Sequence, residues 1–259
     1  MKKHLSVLFE YGSETGLEYL YELRRIGIKV NSIICVGDQY SEKRSQLLLS
    51  RTEGHFKRKS FVNFLDDSTI PVYIINDVNS LSCENILNYL KPDLVVFEGS
   101  FIIRNKIYQI PKLGMLNVHL AILPYHRGCS CMEWSIINNY PVGVTCHYIE
   151  KNVDTGKIIN RISLKYNSLD TYGIMRSKLL YLAAYSLGQA VENILIKDSQ
   201  KKEAYENIKG QWFSPMKDNK IINKMKKKII NGDYKPIKIK DNIPIEILDV
   251  DLKTGFIIT

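Results

Sequence analysis

The chain has 259 residues, 45 % of them hydrophobic, and a formal net charge of +9, which is enough apolar material to bury a substantial core without disulfide staples. The five cysteines (Cys35, Cys83, Cys129, Cys131 and Cys146) make no C-x-x-C pair at zinc-ligand spacing, so a reduced compartment is expected. No segment reaches the ~18 consecutive apolar residues of a membrane span, and no aromatic residues interleave the late lysines Lys217, Lys220, Lys224, Lys226, Lys227 and Lys228 as a base-stacking platform requires, so a solvated helix face is expected there rather than a nucleic-acid surface.

The opening MKKHLSVLFE superficially resembles a signal peptide. His4, Ser6 and Glu10 interrupt its apolar run and no small-residue cleavage site follows, so Leu5 to Phe9 reads as the first buried strand of a cytoplasmic protein. GLEYLYELRRIG is predicted as a helix and Val30 to Gly37 as strand two; a polar, basic stretch, helical in part, follows as a surface excursion. Pro71 to Asn76 is strand three, and SLSCENILNYL a helix capped by Ser80 or Ser82. Pro92 to Gly99 is strand four, almost wholly apolar, as expected when helices cover both faces of a parallel sheet.

The fifth strand lies in GMLNVHLAILPYHRG, residues 114–128. A short helix in CSCMEWSIINNY comes next, then two strands, VGVTCHYIE and GKIINRISLKY, joined by KNVDTG as an antiparallel addition. Apolar residues near a 3.6-residue period predict a long closing helix from about Thr171 to Ile196. Beyond Lys197 the pattern weakens into an ordered loop, GQWFSP, the basic segment and a strand-like tail. The expectation is a doubly wound α/β domain over 1–204 and a small C-terminal appendage over 205–259.

Successive strand side chains point to opposite faces, so Asn117 and His119 share one face at a carboxyl end, where open α/β sheets bind their ligands. An amide donor beside an imidazole suits attack on a carbonyl, the amide steadying an oxyanion and the ring handling a proton. Two groups capping the strand end fit the same spacing. Asp154, in the tight loop VDTG, is either a carboxylate for that imidazole or a turn residue.

LNVHLAILPYHRG followed by GVT and VDTG resembles the 10-formyltetrahydrofolate-dependent formyltransferases, in which Asn-x-His, Leu-Pro with a basic turn and Arg-Gly, Gly-Val-Thr and Asp-Thr-Gly recur. Here these are Asn117, His119, Leu123, Pro124, Arg127, Gly128, Gly143, Val144, Thr145, Asp154, Thr155 and Gly156. The resemblance runs from about Pro92 to Ile159 and fades beyond about residue 200. It implies transfer of a formyl group from 10-formyltetrahydrofolate to an amine. Asn117 and His119 would hold the oxyanion, His119 would take the amine's proton, and Asp154 would orient the ring. No metal and no cysteine nucleophile is implied. The pterin would lie on the backbone of the loop after strand four, at Phe97, Gly99, Phe101 and Ile102, and of the loop before Asp154, at Asn152 and Val153. Glu98 is an unusual acidic neighbour for that loop, unless it faces solvent.

The family divides by acceptor. Glycinamide ribonucleotide enzymes open with a phosphate-cradling Gly-Ser-Gly loop, whereas FEYGSETG places Glu10 and Glu14 there. Methionyl-tRNA formyltransferases carry a C-terminal barrel, for which too little chain follows Tyr205. The sugar N-formyltransferase branch is therefore expected: a homodimer acting on a nucleotide-diphosphate amino-deoxy sugar in surface-polysaccharide (O-antigen) biosynthesis. The PYHRG turn would meet the diphosphate through His126, Arg127 and Gly128, and Tyr11 would touch sugar or base, with Trp134 a further candidate. Another small amine such as glycinamide ribonucleotide or an amino acid, and a non-catalytic folate- or nucleotide-binding role, are the alternatives.

Overall fold

The computed structural model describes residues 3–66, 69–197, 204–208 and 210–258; Met1, Lys2 and Thr259, part of the terminal stretches read above, lie outside it. The first half runs β1 (Leu5–Glu10), α1 (Glu14–Arg25), β2 (Ser32–Val36), α2 (Glu42–Thr52), α3 (Phe61–Asp66), β3 (Val72–Ile75), α4 (Leu81–Leu90), β4 (Leu94–Glu98), α5 (Asn105–Tyr108) and β5 (Met115–His119). β1 pairs in parallel with β2 and β4, β2 with β3, and β4 with β5. Ser80 caps α4 by accepting the Cys83 N–H, which satisfies one of the first turn's free donors. Leu5, Val7 and Phe9 face a core shared with α1, while Leu8, Val95 and Phe97 face a second core under α4. Both faces are therefore covered, which accounts for the continuous apolar runs.

After β5 come β6 (His126–Gly128), α6 (Cys131–Ile137), β7 (Gly143–Tyr148) and β8 (Ile158–Leu164). β7 is antiparallel to both β5 and β8. Helix α7 (Tyr172–Leu195), capped by Thr171, lays Met175, Leu179, Leu182, Ala183, Leu187, Ala190 and Ile194 across the sheet. The chain ends with β9 (Gln211–Phe213), α8 (Asn219–Ile230), β10 (Glu246–Asp251) and β11 (Phe256–Ile258).

The sheet order is β11-β10-β8-β7-β5-β4-β1-β2-β3, with β6 and β9 forming a separate pair. The segment beyond residue 205, expected as an appendage, thus extends the main sheet through β10, parallel to β8. The fully buried Arg161 of β8 fastens it there. Its guanidinium donates to the Asp241 carboxylate at 2.6 and 2.9 Å, and to the carbonyls of Leu123 and Ile243. The basic segment is α8, which buries Met225 and Ile229 and turns most of its lysines outward. Lys226 pairs with Glu53 at 2.8 Å and Lys228 donates to the Ile137 carbonyl at 2.8 Å. Among the described residues no helix is long and apolar enough to cross a membrane.

Candidate active site

Pleating sends Leu116 and Val118 into the α1/α7 core, so Asn117 and His119 emerge together on the other face of β5. In the antiparallel register Asn117 lies opposite His147 and His119 opposite Thr145. The Thr145 hydroxyl donates to the Ala121 carbonyl at 2.7 Å and accepts the Leu123 N–H at 3.0 Å, fixing the chain as it leaves His119.

Asp154 arrives from the loop between β7 and β8, buried and in the left-handed backbone region (φ 55°). Its Oδ2 accepts the Gly128 N–H at 2.9 Å and lies 3.5 Å from Nδ1 of His119; its Oδ1 is 3.7 Å from Nε2 of His147. The other nitrogen of each ring faces a backbone carbonyl. His119 Nε2 is 2.8 Å from the His126 carbonyl, and His147 Nδ1 is 2.8 Å from the Tyr148 carbonyl. A carbonyl only accepts, so those nitrogens carry the protons. Nδ1 of His119 and Nε2 of His147 are left turned toward the same carboxylate. Burial lowers the pKa of His147 to about 4 against the pull of Asp154, and its Nε2 has no hydrogen-bond partner. It stands as a neutral ring beside Asp154, with no hydrogen bond to it.

These groups open into a cavity of about 770 Å³. Phe97, Gly99, Phe101, Ile102, Asn152 and Val153, the residues expected against the pterin, all line it, as do Asn117, His119, Asp154 and Gly128. Phe101, Ile102 and Val153 are exposed apolar side chains on its wall, a surface suited to a flat heteroaromatic ligand. Glu98 does not face open solvent: its Oε1 accepts from Arg44 at 2.9 Å and its Oε2 is buried with no partner.

Four residues expected at the acceptor lie elsewhere. His126 is buried, stacked on Phe213 with ring centres 4.6 Å apart. Arg127 is also buried and donates to the Asn207 side chain at 2.7 Å and to the carbonyls of Asn207 and Ile208. Pairing of β6 with β9 turns both side chains into the protein, so only the Gly128 backbone reaches the cavity. Tyr11 packs against Phe61 outside the cavity wall, and Trp134 stacks on Phe213 and donates to the Ser214 carbonyl. Glu10 and Glu14 do line the cavity, but Glu10 pairs with Arg44, and Glu14 lies 3.6 Å from Arg58, so much of their repulsion is neutralised.

Sequence reasoning missed His147, although the alternation that places Thr145 on one face of β7 places His147 beside it. It also missed Arg51, Arg176 and Trp212, which line the cavity from α2, α7 and β9. No local pattern singles out an arginine on an amphipathic helix, and the strand partner that positions Trp212 is remote in sequence.

The formyl transferase family model matches residues 76–191. The bifunctional polymyxin resistance protein ArnA of Wigglesworthia glossinidia brevipalpis is 35 % identical over 192 residues, covering 73 % of this chain and 27 % of that protein. Among solved structures, glycinamide ribonucleotide transformylase 1 of Symbiobacterium toebii superposes with a TM-score of 0.60 at 16 % identity, covering 80 % of this chain and 94 % of that one. A sugar N-formyltransferase from a Shewanella species gives a TM-score of 0.59 at 15 % identity, covering 98 % and 95 %. At such identities these two structures share the fold. The chain spans about a quarter of the ArnA protein and about half the length of the methionyl-tRNA formyltransferases that it also matches. The matched segment holds β5, β7 and the Asp154 loop, so the chain carries a formyl transferase domain over residues 76–191.

Proposed function

We propose that the chain moves a formyl group from 10-formyltetrahydrofolate to the amine of a nucleotide-linked amino-deoxy sugar. The observation that carries the transfer is the convergence of the Asn117 amide and the His119–Asp154 pair on one cavity, walled by the Phe97–Ile102 and Asn152–Val153 loops. The Asn117 amide donates to the oxyanion that develops as the amine adds to the formyl carbon. Because the His126 carbonyl holds the Nε2 proton, Nδ1 of His119 is the nitrogen that accepts the amine's surplus proton, and Asp154 stabilises the resulting cation. His119 returns that proton to the departing folate nitrogen as the old C–N bond breaks.

The nucleotide-sugar acceptor draws its support from the stretch where a phosphate cradle would lie, which carries Glu10 and Glu14 on the cavity wall. A homodimer serving surface-polysaccharide synthesis belongs to the same reading. Glycinamide ribonucleotide is the competing acceptor, because Arg44 and Arg58 offset those two carboxylates.

The transfer is tested by following 10-formyltetrahydrofolate with and without added amine. Tetrahydrofolate release that needs an amine supports formyl transfer; equal release to water, yielding formate, contradicts it.

A further inference from the structure

The cavity is lined by five basic side chains: Lys43, Arg44, Arg51, Lys151 and Arg176. Lys43 and Lys151 are exposed, and their charge is met by water. Arg44 is spent within the protein, on Glu10, on Glu98 at 2.9 Å and on the Ser13 hydroxyl at 2.7 Å. Arg51 and Arg176 differ from these three. Both are half-buried, and neither makes a side-chain hydrogen bond or an ion pair within 4 Å with any described residue. The Nε of Arg176 is buried outright with no partner. A guanidinium drawn out of water without a partner costs free energy that a bound anion returns.

The two arginines come from adjoining helices, since α2 packs along α7, and Arg176 stands near the α7 N-terminus, where the helix dipole favours negative charge. Glu133 is the nearby acid. Its Oε1 accepts the Tyr172 hydroxyl at 2.6 Å and its Oε2 has no partner. Burial pushes the Glu133 carboxyl up, but Arg176, Tyr172 and Arg51 outweigh burial and hold it below the usual carboxylate range. One buried carboxylate thus shares its field with two guanidiniums without pairing with either, and leaves an excess of positive charge on this wall.

We infer that Arg51 and Arg176 form the anion site of the acceptor, taking the diphosphate of a nucleotide-linked sugar from the α2/α7 wall of the cavity. This rests on the acceptor reading above, and it moves the diphosphate from the PYHRG turn, whose Arg127 is used internally, to a pair of unpaired planar forks suited to phosphoryl oxygens. Trp212, 56 % exposed, lines the same cavity, its indole resting on Gly128 where a Cβ would come within 3.0 Å of the ring. It is placed to report on occupancy.

The test is calorimetric binding of uridine diphosphate, thymidine diphosphate, inorganic pyrophosphate and ribose 5-phosphate to the full chain, with Trp212 fluorescence as a second signal. Nucleoside diphosphates are expected to bind the unaltered protein. Arg51→Gln and Arg176→Gln should each weaken them about tenfold or more, with Arg176→Lys intermediate. Tetrahydrofolate affinity and the circular dichroism spectrum should stay unchanged throughout. Undiminished diphosphate binding by both glutamine variants overturns the site. Equal or tighter binding of ribose 5-phosphate overturns its assignment to a diphosphate. Failure of the unaltered protein to bind any of the four probes overturns the inference as a whole. The folate-release assay reads formyl transfer independently of all three outcomes.

Discussion

Asp154 faces His119 with Oδ2 3.5 Å from Nδ1, while the same oxygen accepts the Gly128 N–H at 2.9 Å. The carboxylate is held by backbone on one side and offered to the ring on the other. Asp154→Asn preserves shape and removes the charge that, in the proposed mechanism, stabilises a proton on Nδ1. Turnover should fall about 10²-fold or more, with tetrahydrofolate binding little changed. Turnover within a few-fold of the unaltered enzyme would remove Asp154 from the proton path.

His119→Ala should lower turnover by about 10²–10⁴ and Asn117→Ala by about 10²–10³. In the proposed mechanism both act on one developing charge, so the double variant should lose far less than the product of the two. Steady-state rates on the three folded variants measure this; strict multiplicativity would mean that the residues act independently.

The legibility of the site follows the range of the interactions that build it. Period-two alternation sufficed to put Asn117 and His119 on one face, and near-continuous apolar runs sufficed for β1, β2 and β4. The α4 cap was readable as one of two serines, Ser80 or Ser82, because capping is a local exchange of hydrogen bonds; Ser80 takes it. The fate of the PYHRG turn was not readable. Whether Arg127 faces ligand or protein depends on β6 pairing with β9, and on Asn207 arriving from far along the chain. The tail was legible as strand-like but not as part of the main sheet, because its place is set by the buried Arg161–Asp241 pair across β8.

Arg127→Ala should therefore act on stability rather than on acceptor affinity. The change removes the donor to the Asn207 side chain and to the part-exposed Asn207 and Ile208 carbonyls, and each lost hydrogen bond costs about 0.5–1.5 kcal/mol. A lowered urea midpoint with an unchanged KM for the acceptor is expected. A raised acceptor KM at full stability would restore a ligand-binding role.

Burial, with the charge of His119 adding to it, lowers the pKa of His126 to about 4, and burial lowers that of His147 to about 4. An unfolded histidine titrates near 6.5, so below that pH the unfolded chain binds protons that the folded chain does not. Stability contributed by these two rings is complete above about pH 6.5 and falls as the pH drops toward 4, by about 1 kcal/mol per pH unit for each ring. Urea midpoints should decline between pH 6.5 and 5, above the range where carboxylates dominate, and His126→Phe should flatten the decline. A constant midpoint across that window would contradict the burial of these rings.

The central claim is the identity of donor and acceptor, and the mass of the product tests it most directly. The enzyme is incubated with 10-formyltetrahydrofolate and, separately, uridine- and thymidine-diphosphate sugars bearing 3- or 4-amino groups, glycinamide ribonucleotide, and charged initiator tRNA. One nucleotide sugar should gain the mass of a single formyl group, with one tetrahydrofolate released per product, and His119→Ala should abolish both signals. A formyl group appearing only on glycinamide ribonucleotide or on the tRNA, or on no acceptor at all, would contradict the account.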